Sequence, residues 1–270
     1  MRRYQLFEFC DLPWLPTALR SLTPTFLEAA FRVLGSYQVA VAPLAEALRA
    51  TGSKRLLDLG SGGAGPLPQL LLGLAKQEHL LIRATMSDKF PNLAALSEAV
   101  QRDPERLSFL SDSIDATAVP PEQTGLRTMF QLLHHFPPDV ARAILQDAVD
   151  KGQGIAIFEV TQRRILGVVM ALLIPFLVLL LTPFIRPLRL WRLLLTYVVP
   201  LSPFIIAWDA VVSTLRSHTE AELWQLTGSL SGAPYVWKQG RGRHLTMEVT
   251  WLIGYPAPSL PLIPSAPQEA

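Results

Sequence analysis

The chain predicts an α/β fold in which a mostly parallel sheet is covered by helices on both faces. Three observations carry that expectation. Apolar, β-rich runs alternate with helical segments from residue 54 to residue 160, and such alternation builds parallel strands joined by crossover helices. The first strand breaks at once into a glycine-rich turn, Asp58-Leu-Gly60-Ser-Gly62-Gly-Ala-Gly-Pro66. Acids or histidines follow the later strands at their carboxyl ends, the edge at which such sheets bind ligands.

Taken in order, residues 1–50 read as a helical cap with one apolar side. Thr23-Pro24 starts one helix, and Ala42 to Ala50 ends another before Thr51-Gly52. The core, 51–160 and 214–256, opens with a strand over 54–59, a helix near 66–77 and a strand over 80–86. A helix near 91–102 leads to a short strand over 107–110 and another near 126–132. Pro137-Pro138-Asp139 opens a helix to Lys151, stopped by Gly152 and Gly154, and Gly154 to Val160 is an apolar strand. Beyond an apolar insertion at 161–213, Thr219-Glu-Ala-Glu222 has capping-box spacing and starts a helix to Thr227. Two last strands, Tyr235–Gln239 and Leu245–Tyr255, join through Gly240-Arg-Gly242. The proline-rich tail, 257–270, is expected to be disordered.

Composition bounds the partners. A net charge of +2 without a run of Lys and Arg leaves no footprint for nucleic acid. Cys10 is the sole cysteine, so neither an internal disulfide nor a thiolate metal cluster is expected, and a cytoplasmic setting fits. Acids interrupt the apolar part of the first residues, which do not read as a signal peptide.

The turn is the most informative segment. Gly60 and Gly62 permit backbone angles closed to other residues and remove the Cβ atoms that would block a ligand, while the helix start behind them offers unpaired N–H groups. A glycine turn alone is shared by several nucleotide-binding folds. Asp58 lies inside the strand, where a dinucleotide fingerprint has an apolar residue; Ser87-Asp88 ends the second strand; Asp115 follows the third; and Phe130-Gln-Leu-Leu-His134-His135-Phe136 ends the fourth.

This ordered set, over residues 35–160, resembles the class I S-adenosylmethionine-dependent methyltransferases. The resemblance implies a Rossmann-like, doubly wound seven-stranded sheet with its last strand antiparallel, completed by the two final strands, and S-adenosylmethionine as cofactor. It maps the methionine part of the cofactor to Asp58, Gly60, Ser61 and Gly62, the ribose to Asp88 and the adenine amino group to Asp115. The usual third glycine of the turn is Ala64 here, with Gly65 next. Other readings stay open: a tight turn without ligand, a nicotinamide cofactor, Asp88 as a helix cap, and Asp115 or Asp112 as a solvated loop acid.

Methyl transfer from a sulfonium needs alignment and exclusion of water, and no metal-ligand spacing is present. His134 and His135 face the crevice and are candidates for a base, or else loop caps. Adjacent side chains point to different sides, so one of them is expected to meet substrate. Glu159, ending the fifth strand, faces the same edge or pairs with Arg163 or Arg164. Tyr37 packs in the core or closes over the cofactor.

Only 17% of residues are charged, and residues 165–185 and 193–208 carry no charge at all. The first stretch is long enough to cross a hydrocarbon core of about 30 Å. Because the last strands must return to the sheet, an odd number of crossings is excluded, and two crossings would export Arg186, Arg189 and Arg192. A hairpin in one leaflet or along the interface, bent at Pro175, Pro183, Pro200 and Pro203, satisfies both facts; a soluble helical lid is the alternative. Asp209 closes the stretch and is expected to cap or to pair with an arginine. The expected function is methyl transfer to a lipophilic small molecule by an enzyme peripheral or monotopic on the inner face of the membrane. A non-catalytic cofactor- or partner-binding protein of the same fold, anchored there, is the competing reading.

Overall fold

The computed structural model describes residues 1–244 and 247–258, so the tail expected to be disordered lies almost wholly outside the described residues. One sheet contains β1 (Arg55–Leu59), β2 (Arg83–Asp88), β3 (Leu107–Ser113), β4 (Leu126–Phe130), β5 (Ile155–Glu159), β6 (Tyr235–His244) and β7 (Met247–Pro256). Their order is β3-β2-β1-β4-β5-β7-β6. The β1–β2, β1–β4, β2–β3 and β4–β5 pairs are parallel, whereas β7 runs antiparallel to both β5 and β6. This is the expected Rossmann-like seven-stranded sheet. Its order reverses between β1 and β4, which opens a crevice outside the carboxyl ends of those strands.

Helices α1 (Thr17–Arg20), α2 (Leu22–Leu34), α3 (Val41–Thr51), α4 (Leu67–Gln77), α5 (Leu93–Arg102) and α6 (Pro138–Asp150) precede the insertion. Helices α7 (Ile165–Leu172), α8 (Ile174–Leu181), α9 (Leu190–Leu193) and α10 (Leu201–Arg216) make up the insertion and its exit, and α11 (Glu220–Gly228) follows. Local chemistry sets their ends. Gly52 closes α3 in the left-handed region, the Asn92 side chain accepts the Ala95 N–H to cap α5, and Thr219 and Glu222 form a reciprocal capping box.

Leu44, Leu48, Leu67, Leu70, Leu74 and Leu96 from α3, α4 and α5 cover one face of the sheet. Ala141, Ile144, Leu145 and Ala148 of α6 cover the other, with Leu223 and Leu226 of α11 beside them. A third apolar cluster has no strand in it. Leu22, Phe26, Ala29 and Ala30 of α2 pack with Val178 of α8 and Ile205 and Ile206 of α10. The first helical segment and the insertion therefore share one core.

Several strand boundaries differ from expectation: β3 runs on to Ser113 and β4 stops at Phe130. The second strand starts at Arg83, where pairing with Arg55 of β1 begins, and it includes Ser87 and Asp88. Strand β6 does not turn at Gly240-Arg-Gly242 but runs through both glycines to His244. A Cβ at residue 240 would lie 2.2 Å from the Trp251 ring, so this glycine marks a close cross-strand approach and not a reversal.

Ile165–Phe184 is a helical run of 20 residues with a mean hydropathy of 2.9, long and apolar enough to cross a membrane, and 17% of it is buried. A core helix of that composition would be covered. Here Ile165, Leu166, Phe176, Leu180 and Phe184 are exposed. The four prolines fall where the helices break or begin: Pro175 in the first turn of α8, Pro183 in the 3-10 turn after it, and Pro200 and Pro203 at the start of α10. The segments Leu190–Val198 and Leu201–Arg216 meet at 80°.

Candidate active site

The glycine turn is organised from behind by a buried acid. Asp58 is 3% exposed; its carboxylate accepts the Ser61 hydroxyl at 2.6 Å and the Thr128 hydroxyl at 2.7 Å. Thr128 stands beside Asp58 in the β1–β4 register, so adjacent strands supply acid and hydroxyl. The Ser87 hydroxyl donates to the Asp58 carbonyl at 2.8 Å, and Ser61 N–H donates to the Ser87 carbonyl at 2.9 Å, locking the turn onto β2. Burial pushes the Asp58 carboxyl up to about 7, against the opposing effect of the two hydroxyls. Asp58 thus holds the turn from behind through Ser61.

Gly60 and Gly62 have φ of +71° and +56°, the left-handed region glycine enters without strain. Their surroundings differ. A Cβ on Gly60 would come 2.2 Å from the Leu132 side chain, whereas one on Gly62 would meet nothing within 4 Å. Ala64 holds φ +85°, so the backbone keeps a left-handed conformation where the usual glycine is replaced. Asp88 faces the turn and accepts the Gly62 N–H at 3.0 Å and the Phe90 N–H at 2.9 Å. It does not cap α5, a task Asn92 performs. Asp115 accepts the Thr117 N–H and hydroxyl and pairs with Lys89 at 2.6 Å. Lys89 first, then Thr117, holds its carboxyl down to about 2. Asp112 lies exposed within β3.

Across the crevice the two histidines lie together. Residues Leu133–His135 form a 3-10 turn rather than a strand, so the side chains do not alternate. Their rings are 4.4 Å apart, tilted by 34°, and both approach Glu8. His134 is 2% exposed; its Nδ1 bonds Glu159 at 2.7 Å, while its Nε2 is buried without a hydrogen-bond partner. Burial alone would raise Glu159, but His134 outweighs it and holds the carboxyl below its usual range. Glu159 pairs with neither Arg163 nor Arg164, which bond Glu222 and Glu248 instead. His135 Nδ1 bonds Asp11 at 3.0 Å. Burial opposes charge on His135, but Glu8 and Asp11 prevail and raise it to about 9. It is protonated at neutral pH and has no lone pair to offer a substrate proton.

The first residues form a strap over this half of the edge. The Arg3 guanidinium donates to the carbonyls of Arg216 at 2.6 Å and Phe136 at 2.8 Å, and Gln5 donates to the His135 carbonyl at 3.0 Å. Arg216 donates to Glu8 at 3.0 Å and Asp11 at 2.8 Å. Asp209 neither caps nor pairs with an arginine: it accepts the Phe9 N–H and the Thr23 hydroxyl, tying strap and α2 to α10. Tyr37 is buried edge-on between Phe31 and Phe130, a core residue. Sequence reading missed Glu8, Asp11 and Arg216, which lie 81 or more residues from the histidines and carry no local signal. Thr128 did carry one, as a polar residue inside an apolar strand.

No protein-family model and no curated protein matches the chain. Solved structures do. NcsB1, an O-methyltransferase from neocarzinostatin biosynthesis, in complex with S-adenosyl-L-homocysteine and 1,4-dihydroxy-2-naphthoic acid, is similar over 89% of this chain and 59% of its own. The identity is 15% and the TM-score 0.54. Its complex with S-adenosylmethionine and 2-hydroxy-5-methyl naphthoic acid is similar over 87% and 58%, at 13% identity and a TM-score of 0.51. The chain spans under three-fifths of the length of these structures. With the strand order, these likenesses show the fold, which is shared with these O-methyltransferase structures.

Proposed function

We propose that the chain transfers a methyl group from S-adenosylmethionine to a hydroxyl of a lipophilic small molecule, at the inner face of a membrane, with His134 as general base. The observation that carries this reading is the meeting of two half-sites at one sheet edge: Gly62 and Asp88 beside β1 and β2, and His134 backed by Glu159 beside β4 and β5. The residues present fit the cofactor. Each Asp88 oxygen accepts one backbone N–H and keeps a lone pair for a ribose hydroxyl, and no protein atom lies within 4 Å of where a Gly62 Cβ would stand. Asp115 lies after the next strand, with Ser61 held by Asp58 on the inner side of the turn.

The cofactor supplies a methyl group already activated on sulfur. His134 Nε2 would take the acceptor's proton, and Glu159 on Nδ1 fixes the tautomer and offsets the imidazolium charge. His135, charged beside Glu8 and Asp11, is left as an electrostatic neighbour.

One observation favours a non-catalytic, membrane-anchored protein of the same fold. Leu132 lies against Gly60, and the strap brings Glu8 to His134, so the chain's own side chains occupy part of both half-sites. Calorimetric titration with S-adenosylmethionine separates the readings. Micromolar binding lost in Asp88→Ala supports the enzyme; a silent titration leaves the non-catalytic protein.

The membrane part rests on the exposed apolar run of α7 and α8 and on Arg186 and Arg189, exposed beside it and suited to anionic headgroups. Flotation with phosphatidylglycerol vesicles tests it. The parent chain floats, while replacing Leu166, Phe176 and Leu180 by glutamine abolishes flotation at unchanged thermal midpoint. Equal flotation of both would overturn the membrane reading.

A further inference from the structure

We infer that Glu8, His134 and His135 form a binding site for one divalent ion of the zinc type, which clasps the strap onto the sheet edge. The proposal does not rest on the methyl-transfer reading, but it uses the same His134 Nε2, so a bound ion and a free base at that atom exclude one another. Glu8 Oε1 lies 3.9 Å from His134 Nε2, and Glu8 Oε2 lies 3.8 Å from His135 Nε2. These separations are too long for hydrogen bonds. At bonds of about 2.0–2.2 Å two ligands on one tetrahedral ion stand about 3.4 Å apart, so each pair has roughly half an ångström to close. The donor atoms of all three residues lie within 4.8 Å of one another, so a small side-chain adjustment brings them onto one centre.

The orientation of the imidazoles makes this more than proximity. Each ring gives Nδ1 to a carboxylate, His134 to Glu159 at 2.7 Å and His135 to Asp11 at 3.0 Å. That leaves both Nε2 atoms facing Glu8. A carboxylate on the far nitrogen is the arrangement that fixes the tautomer and raises the basicity of metal-bound histidine. The His134 Nε2 is buried with no hydrogen-bond partner, a costly condition that a metal bond removes. Two imidazoles and a carboxylate suit zinc and its neighbours, and a fourth position stays open to water.

Charge agrees with geometry. Glu8, Asp11 and Glu159 carry three negative charges, and Arg216, bonded to the first two, supplies one positive. One divalent ion between the two rings balances the remainder. A bound ion therefore leaves no net charge buried in this cluster. With the ion seated, the His134 Nε2 lone pair is occupied and the strap is fixed, so the loaded form is the closed one.

The test uses the full chain, stripped by chelator and titrated with Co²⁺ alone and then with Zn²⁺. One equivalent of Co²⁺ is expected, with the visible absorption of tetrahedral nitrogen and oxygen ligation, proton release, and displacement by Zn²⁺. Glu8→Gln and the double variant His134→Gln/His135→Gln each lose this uptake. Glu159→Gln weakens it roughly 10- to 100-fold. Zn²⁺ raises the thermal midpoint of the parent but not of Glu8→Gln, whatever the basal stability of that variant. Uptake unchanged in either ligand variant, or no uptake at all, overturns the proposal. So does a thiolate-to-cobalt charge-transfer band lost in Cys10→Ser, which would place the ion between Glu8, Cys10 and Asp209.

Discussion

The two halves of the sheet edge are built in opposite ways. On the β1–β2 side, Asp58, Ser61, Gly62, Ser87 and Asp88 come from two strands thirty residues apart and are bonded largely to backbone. On the β4–β5 side, His134 and His135 are set by Glu159, by Glu8 and Asp11 of the strap, and by Arg216 at the end of α10. The first half is rigid because its donors are turn amides and buried hydroxyls, fixed once the sheet forms. The second depends on a segment that lies over the edge and is held by side chains. A half-site made by local backbone geometry is always present; one completed by a strap can be opened.

The largest test of this contrast is His134→Gln. It is expected to lower turnover by about 10²–10⁴-fold with cofactor affinity unchanged, measured by single-turnover methyl transfer and calorimetry. Asp88→Ala strikes the other half. It is expected to weaken cofactor binding roughly 100-fold, the loss of charge-assisted hydrogen bonds, with the thermal midpoint reporting that the fold survives. Loss of turnover without loss of affinity in Asp88→Ala would erase the distinction between the halves.

Asp58 gives a pH test of the rigid half. Its folded carboxyl is raised to about 7 from 3.8, so the folded chain holds this proton more tightly than the unfolded chain between those values. Stability contributed by the protonated acid is present below about pH 4 and declines as pH rises through about 7. Asp58→Asn should flatten that part of the profile by on the order of a few kcal/mol, read from urea midpoints against pH. An identical slope in parent and variant would show that burial does not control this acid.

Arg3→Ala tests the strap. Losing its bonds to the Arg216 and Phe136 carbonyls should cost roughly 1–3 kcal/mol, seen as faster proteolysis before Phe9, with the β1–β2 half unaffected. The smallest effect is expected from Lys89→Ala. The Lys89–Asp115 pair is well exposed on both sides, and its removal should change stability by less than about 1 kcal/mol.

Much of the rigid half was legible in the sequence. A strand ending in a glycine turn, an acid after the next strand and a capping box are local patterns, because backbone conformation and helix ends are decided by neighbours within a few residues. The position of Thr128 could be read as well, since a hydroxyl in an apolar strand asks for a buried partner. Gly240 shows the limit: glycine signals either a reversal or a close approach, and only the Trp251 ring decides which. The pair His134-His135 shows it again, because alternation assumes a strand and the chain forms a 3-10 turn there.

What the sequence by itself determined is the order of elements, the faces they bury, the sheet edge that carries the polar residues, and the place of the apolar run. Those follow from periodicity and from turn chemistry, which act over short range. What only the tertiary structure decided is which acid meets which histidine. Glu8 reaches a residue 126 positions away, Glu159 turns to His134 in place of two nearby arginines, and Asp209 holds the strap, because such contacts are set by the path of the packed chain and leave no trace in local pattern.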